Sequence, residues 1–225
     1  MTILHHPGDA LLLALAAGNL ARGTAVVTAA HAQGCPRCLA RLRDLEAVGG
    51  VLLDEIEPAA LAAEALLRTL ARIDALGAPS PLRPPTAAAG GPRRLRASLP
   101  AGVAWPRSLG GSTASGWRRL GPGVRWSRVT LAGAADANVY LLRVAAGKAL
   151  PVHGHRGGEL THVLHGAFHA GGEHFAAGDF AAADDGVHHQ PVATADGECI
   201  CLTSVEGRIA FDGPIGRVLG SLFGM

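Results

Sequence analysis

Two groups of residues in this chain are equipped for metal chemistry. The first is His31-x-x-x-Cys35-x-x-Cys38. Two thiolates and an imidazole are good zinc ligands, and zinc prefers four donors in a tetrahedron. The spacing puts His31 in the last turn of one helix and Cys35 and Cys38 around the first turn of the next. A helix N-terminus favours the thiolate form that a metal requires. The fourth donor has to come from elsewhere, and His5 and His6 both stand just ahead of the first expected helix. A thioredoxin-like redox pair is disfavoured, because no β-α-β pattern surrounds Cys35. The second group is His153-Gly154-His155 followed by Glu159. Residues two apart point to one face of a strand. Imidazoles joined by a carboxylate suit zinc, or a redox metal such as iron, manganese or nickel.

Helices have to position the first group. Asp9 reads as the N-cap of a helix carrying Leu11, Leu12 and Leu15, stopped by Gly18. A second helix fits Thr24 to about Gln33, with Gly34 at its C′ position and Pro36 opening the third. The third carries Leu39, Leu42 and Leu45 and is expected to end near Gly49-Gly50. A fourth is expected from about Pro58 to Leu76, with Leu66, Leu70 and Ile73 at helical spacing. Four short helices over residues 1–76 make a small core, and such a unit needs a staple. Zinc would be that staple.

A change of composition follows. Residues 77–108 carry five Arg and no acid, with seven Pro and the run Ala87-Ala88-Ala89-Gly90-Gly91, and read as a partly extended linker. From about residue 117 the apolar period shortens. Val129–Leu131, Val139–Val144, Leu160–Leu164, Cys199–Leu202 and Arg208–Phe211 read as short strands between Gly-rich turns such as Ala176-Ala177-Gly178-Asp179. Close-spaced short strands predict a sandwich or barrel over residues 109–225.

Within that region Gly147, His153, His155, Glu159 and Gly166 resemble the first cupin motif at every fixed position. Gly178, Gly186 and His189 resemble the second, which departs at Asp184 (usually Pro) and Ala193 (usually Asn). The resemblance implies a jelly-roll barrel with His153, His155, Glu159 and His189 converging inside it, and its spacing selects His189 over His188. His162, His165, His169, His174 and His188 fall outside the motif and are expected to be surface residues. Cys199 and Cys201 share one strand face and read as two small buried side chains.

Nearly the whole chain, the linker least, is similar to the ChrR family of zinc-binding anti-sigma factors with a C-terminal cupin domain. The resemblance rests on His5-His6-Pro7-x-Asp9, Ala16-Ala17-Gly18, His31-x-x-x-Cys35-x-x-Cys38, Ala47-Val48-Gly49-Gly50, His153-Gly154-His155-Arg156-Gly157, Glu159-Leu160-Thr161, Gly166-Ala167-Phe168 and Cys199-Ile200-Cys201-Leu202. It implies an all-α zinc domain over 1–76, a linker over 77–108 and an all-β cupin domain over 109–225. It implies His6, His31, Cys35 and Cys38 as structural zinc ligands, choosing His6 over His5. It implies a second divalent metal in the barrel, zinc foremost. It further implies an ECF-type sigma factor as partner, released on an oxidative signal such as singlet oxygen, with a small-molecule or oxidant ligand acting at the cupin site.

Composition excludes several other classes. No apolar run reaches the ~20 residues of a membrane helix, and no Lys or Arg precedes the run Ala10–Ala17, so neither a membrane span nor a secretory signal is expected. A net charge of +2 gives no strong field for nucleic acid. Four Cys in 225 residues do not make a disulfide scaffold and agree with a reducing cytoplasm. The competing reading is a metal-dependent cupin dioxygenase or isomerase with a helical dimerisation domain. Against enzymatic function, the only Lys and Tyr, Lys148 and Tyr140, lie outside the motif.

Overall fold

A computed structural model describes residues 2–76, 99–100 and 102–211, with the backbone path alone at residues 155, 156 and 208–211. The described residues fall into two compact units. One is built from residues up to Gly49 and from Leu99 onward, and the other begins at Gly50.

The first unit opens with helices α1 (Asp9–Ala16), α2 (Arg22–Gly34) and α3 (Pro36–Asp54). Gly8 rather than Asp9 takes the N-cap of α1; Asp9 begins the helix, and its carboxylate pairs with Arg41 of α3 at 2.8 Å. Helix α3 runs four residues past Gly50. A glycine inside a helix costs about 1 kcal/mol relative to Ala, and this 19-residue helix contains both Gly49 and Gly50. In the second unit α4 (Ala65–Ala75) starts later than the sequence suggests, where the apolar i, i+4 spacing from Leu66 begins.

Twelve strands follow among the described residues: β1 (Thr113–Ala114), β2 (Arg118–Gly121), β3 (Val124–Leu131), β4 (Ala134–Val144), β5 (His153–Arg156), β6 (Glu159–His165), β7 (Ala167–Ala170), β8 (Glu173–Ala176), β9 (Phe180–Ala183), β10 (Val192–Ala193), β11 (Cys199–Val205) and β12 (Arg208–Phe211). The main sheet runs β1-β3-β4-β11-β6-β9, with β2 beside β3. A smaller sheet runs β10-β7-β8, and β5 pairs with β12. All pairs are antiparallel, the arrangement of a jelly roll.

Every residue of β11 is buried. A strand in a barrel wall with one wet face would alternate, so both faces must be covered. The inner face carries Cys199 and Cys201 into a cluster with Val144, Val163, Phe168 and Phe175. The outer face carries Leu202, which packs with Val139, Leu141 and Phe180 against Val26, Val27 and Ala30 of α2. Helices α1 and α2 therefore share a core with the barrel, through Leu11, Val26, Val27 and Ala30. Gly23 permits the approach, since a Cβ there would lie 2.6 Å from Ser204 Oγ and 3.2 Å from Val139. The expected linker shortens at its far end. Leu99 and Trp105 pack on the same core, and the Ser108 N–H donates to Gln33. Residues 77–98 of that linker lie outside the described residues.

Candidate metal centres

The turn at Cys35 builds the first centre. Cys35 caps the C-terminus of α2 in an extended conformation, and its carbonyl accepts the Leu39 N–H at the start of α3. Pro36 supplies the first residue of α3, where a missing N–H costs nothing. His31 one turn before and Cys38 one turn after are thereby turned toward Cys35. Leu12 of α1 and Leu42 and Leu45 of α3 enclose the group. His6 arrives from the irregular stretch ahead of α1, its Nδ1 3.4 Å from each of the Cys35 and Cys38 sulfurs. Donor atoms of His6, His31, Cys35 and Cys38 all lie within 4.8 Å of one another.

This donor set fits a tetrahedral metal ion. His31 is fully buried, and neither ring nitrogen finds a hydrogen-bond partner in the protein. A buried polar group left unpaired is costly, and a metal ion would satisfy it. Burial foremost, aided by the neighbouring His162 and His6 rings, lowers the His31 pKa to about 4. Burial, with the Cys35 thiol beside it, pushes the Cys38 thiol up to about 12. The imidazole is thus ready to ligate, whereas the thiol must lose a proton to do so.

Two residues that the sequence reading left aside support this centre. His162 is buried, not on the surface; its ring meets His31 edge-on at 5.5 Å, and its Nδ1 lies 3.2 Å from the Asp179 carbonyl. Asp179, buried in the turn before β9, accepts the Leu4 and His5 N–H groups on Oδ1 at 2.7 and 3.0 Å. Its Oδ2 accepts the Ala176 N–H at 2.8 Å and lies 3.3 Å from His5 Nδ1. Burial alone would raise this carboxyl, but the N–H groups of Ala176, His5 and Leu4 hold it below its ordinary range. His5 is therefore tied to the barrel while His6 faces the sulfurs. The only signal of Asp179 in the sequence is its place in a Gly-Asp turn.

The second centre lies in the barrel. His153 and His189 exchange both backbone hydrogen bonds, at 3.2 and 3.0 Å, which puts their side chains on one face. Their Nε2 atoms are 3.1 Å apart, and each reaches Glu159 Oε2, at 3.5 and 4.0 Å. His153 Nδ1 lies 2.8 Å from the Pro151 carbonyl, an arrangement that orients a ligating imidazole through its other nitrogen. Glu159 accepts the Thr161 hydroxyl at 3.1 Å. Burial pulls the His153 pKa down, but the hydrogen bond and charge of Glu159 outweigh it and raise it. Donor atoms of His153, Glu159 and His189 lie within 4.8 Å of one another. Residue 155 is in β5, two positions from His153, but its side chain is outside the described set. The three described donors fit a divalent metal with an open position.

A cavity of about 170 Å³ adjoins this group, lined by Glu159, Thr161 and His189 and otherwise mostly by apolar side chains. Cys199 and Cys201 line it too, their sulfurs 3.6 Å apart, a closer approach than a regular strand suggests. Tyr140 sits elsewhere, against Trp126 and Arg128. His165, His169, His174 and His188 are exposed, as expected.

Comparison with known proteins follows the same division. Residues 108–207 match the model of the ChrR Cupin-like domain. Over 99% of both chains the sequence is 39% identical to the anti-sigma-E factor ChrR of Cereibacter sphaeroides. The fold is similar to the crystal structure of Rhodobacter sphaeroides SigE in complex with the anti-sigma ChrR. That match has TM-score 0.70 and 37% identity, covering 91% of this chain and 100% of the other. With this relationship spanning both the helical and the barrel regions, the chain belongs to the ChrR family of anti-sigma factors.

Proposed function

We propose that this protein sequesters an ECF-type sigma factor through the helices of residues 1–76 and releases it on an oxidative signal such as singlet oxygen. The observation that carries the reading is α4. This helix has no buried residue, yet Leu66, Leu70 and Ile73 form one apolar stripe, 69%, 47% and 56% exposed. An apolar stripe at helical spacing is suited to lie in a partner's groove. The complex of the similar ChrR with SigE supports a sigma factor as that partner. No helix among the described residues is long and apolar enough to cross a membrane. The proposed site of action is the cytoplasm, without direct contact to nucleic acid.

His6, His31, Cys35 and Cys38 would hold a structural zinc ion, whose binding energy is at the same time folding energy. His153, His155, Glu159 and His189 would hold a second divalent metal, zinc foremost. The adjoining cavity gives an oxidant or small ligand a place to act. Residues 77–98 would join α4 to the barrel. Moving a holding state from 99:1 to 1:99 takes ~5.5 kcal/mol of differential stabilisation, unless proteolysis makes release irreversible. In this reading the barrel is a sensor and not an enzyme.

The test is affinity capture with the tagged full chain, loaded with zinc, and mass spectrometry of what is retained. An ECF sigma factor at near-equal stoichiometry, and inhibition of its transcription in a purified system, are the expected results. A folded, zinc-loaded chain that retains no co-expressed sigma factor removes the reading. Turnover of a small diketone or flavonol under O₂ would replace it with a cupin oxygenase.

A further inference from the structure

Asp179 contacts neighbours of both imidazoles of the first centre, His162 beside His31 and His5 beside His6, without being a donor to it. Its carbonyl lies 3.2 Å from His162 Nδ1, and the His162 ring packs edge-on against His31. Its Oδ1 serves the N-terminal stretch alone, taking the N–H groups of Leu4 and His5 at 2.7 and 3.0 Å. The Phe180 N–H adds a bond to the His5 carbonyl at 3.1 Å, and the His5 ring rests on Phe175 with centroids 4.4 Å apart. Gly178 leaves room for this stretch, because a Cβ there would come within 2.9 Å of Ile3. Residues 2–8 have no helix or strand of their own to fix them. Ordering such a stretch costs conformational entropy, and these bonds from the barrel offset it next to His6.

We propose that Asp179 is a positioning residue for the N-terminal metal centre, clipping Leu4 and His5 to the barrel so that His6 is held over the Cys35 and Cys38 sulfurs. The inference deepens the zinc reading above and rests on it. The barrel thereby completes a centre whose four donors all come from the helical region. Partners that orient a metal ligand typically change metal affinity 10–100-fold when removed. Asp179 also receives the Ala176 N–H in its own turn, so a purely structural role has to be separated from a positioning one. Leu4 separates them. It is 69% exposed, and Leu4→Pro deletes the shorter of the two N–H donors to Oδ1 without altering Asp179 or the residues of its turn.

The experiment uses the full chain, with zinc affinity from chelator competition and site integrity from the thiolate-to-cobalt(II) charge-transfer band. Circular dichroism and thermal melting report the fold. Asp179→Ala is expected to weaken zinc binding roughly 10–100-fold at the first centre, with an altered cobalt band. Leu4→Pro is expected to weaken it at least several-fold with an unchanged melt of the cobalt-free protein. If folded Asp179→Ala binds zinc as the wild type does, the proposal is overturned. If Asp179→Ala does not fold, Leu4→Pro decides, and unchanged affinity there overturns it equally. A wild-type chain without any thiolate-to-cobalt band overturns the zinc reading itself, which is a different failure.

Discussion

Burial is the chief cause that lowers the His31 pKa to about 4 and pushes the Cys38 thiol up to about 12. His31 thus stays neutral throughout the range from pH 6 to 8, and protons do not compete for it there. Cys38 carries its proton over the same range and must release it to a metal. Zinc affinity is therefore expected to fall as pH drops from 8 to 6, by roughly tenfold per unit for this thiol alone. Competition titrations at three pH values check the slope; a flat profile would mean that Cys38 is no ligand. Cys35→Ser should lower zinc content by one per chain and abolish sigma inhibition, read by metal analysis and a transcription assay. The sequence disclosed these residues because thiols and imidazoles at helical spacing have few other uses. It did not disclose Asp179 or His162, whose parts depend on atoms more than a hundred residues away.

Elements differ in what their apolar residues do. Leu202 of β11 is fully buried beneath α2. Leu202→Ala should cost about 2–5 kcal/mol, measured by urea unfolding, because it opens a cavity between helix and sheet. Leu66 and Leu70 of α4 are exposed. Leu66→Ser with Leu70→Ser should leave the unfolding midpoint of the chain nearly unchanged and weaken sigma binding by at least roughly tenfold, about 1.4 kcal/mol. Calorimetric titration against the captured sigma factor checks this, and unaltered affinity would move the docking surface off α4. Helix ends were the least legible part of these elements. Gly49-Gly50 reads as a stop, but a 19-residue helix whose apolar residues continue beyond the pair absorbs both.

For the whole molecule, holding and sensing are expected to separate by mutation. Glu159→Ala removes the carboxylate from the second centre and leaves the first untouched. It should preserve inhibition in the resting state and blunt the response to singlet oxygen, followed with a sigma-dependent reporter. Constitutive release would place Glu159 in the holding state instead. The shared core of α2 and the barrel gives the two functions a physical connection, since Val26, Val27 and Ala30 pack on the strands whose inner face lines the cavity.

The sequence by itself determined the chemistry and the kinds of element. Donor types, their spacing along one helix turn or one strand face, and the change from helical to alternating period are all local properties. Short-range geometry carries them, so Cys35 beside Cys38 and His153 ahead of Glu159 could be read directly. Only the tertiary structure decided how the regions share their interior. That β11 is buried on both faces, that α2 supplies the outer cover, and that Asp179 binds the stretch before His6 all depend on contacts between segments far apart in the chain. Such contacts leave no periodic trace, because burial and hydrogen bonding place no constraint on the number of residues between the partners.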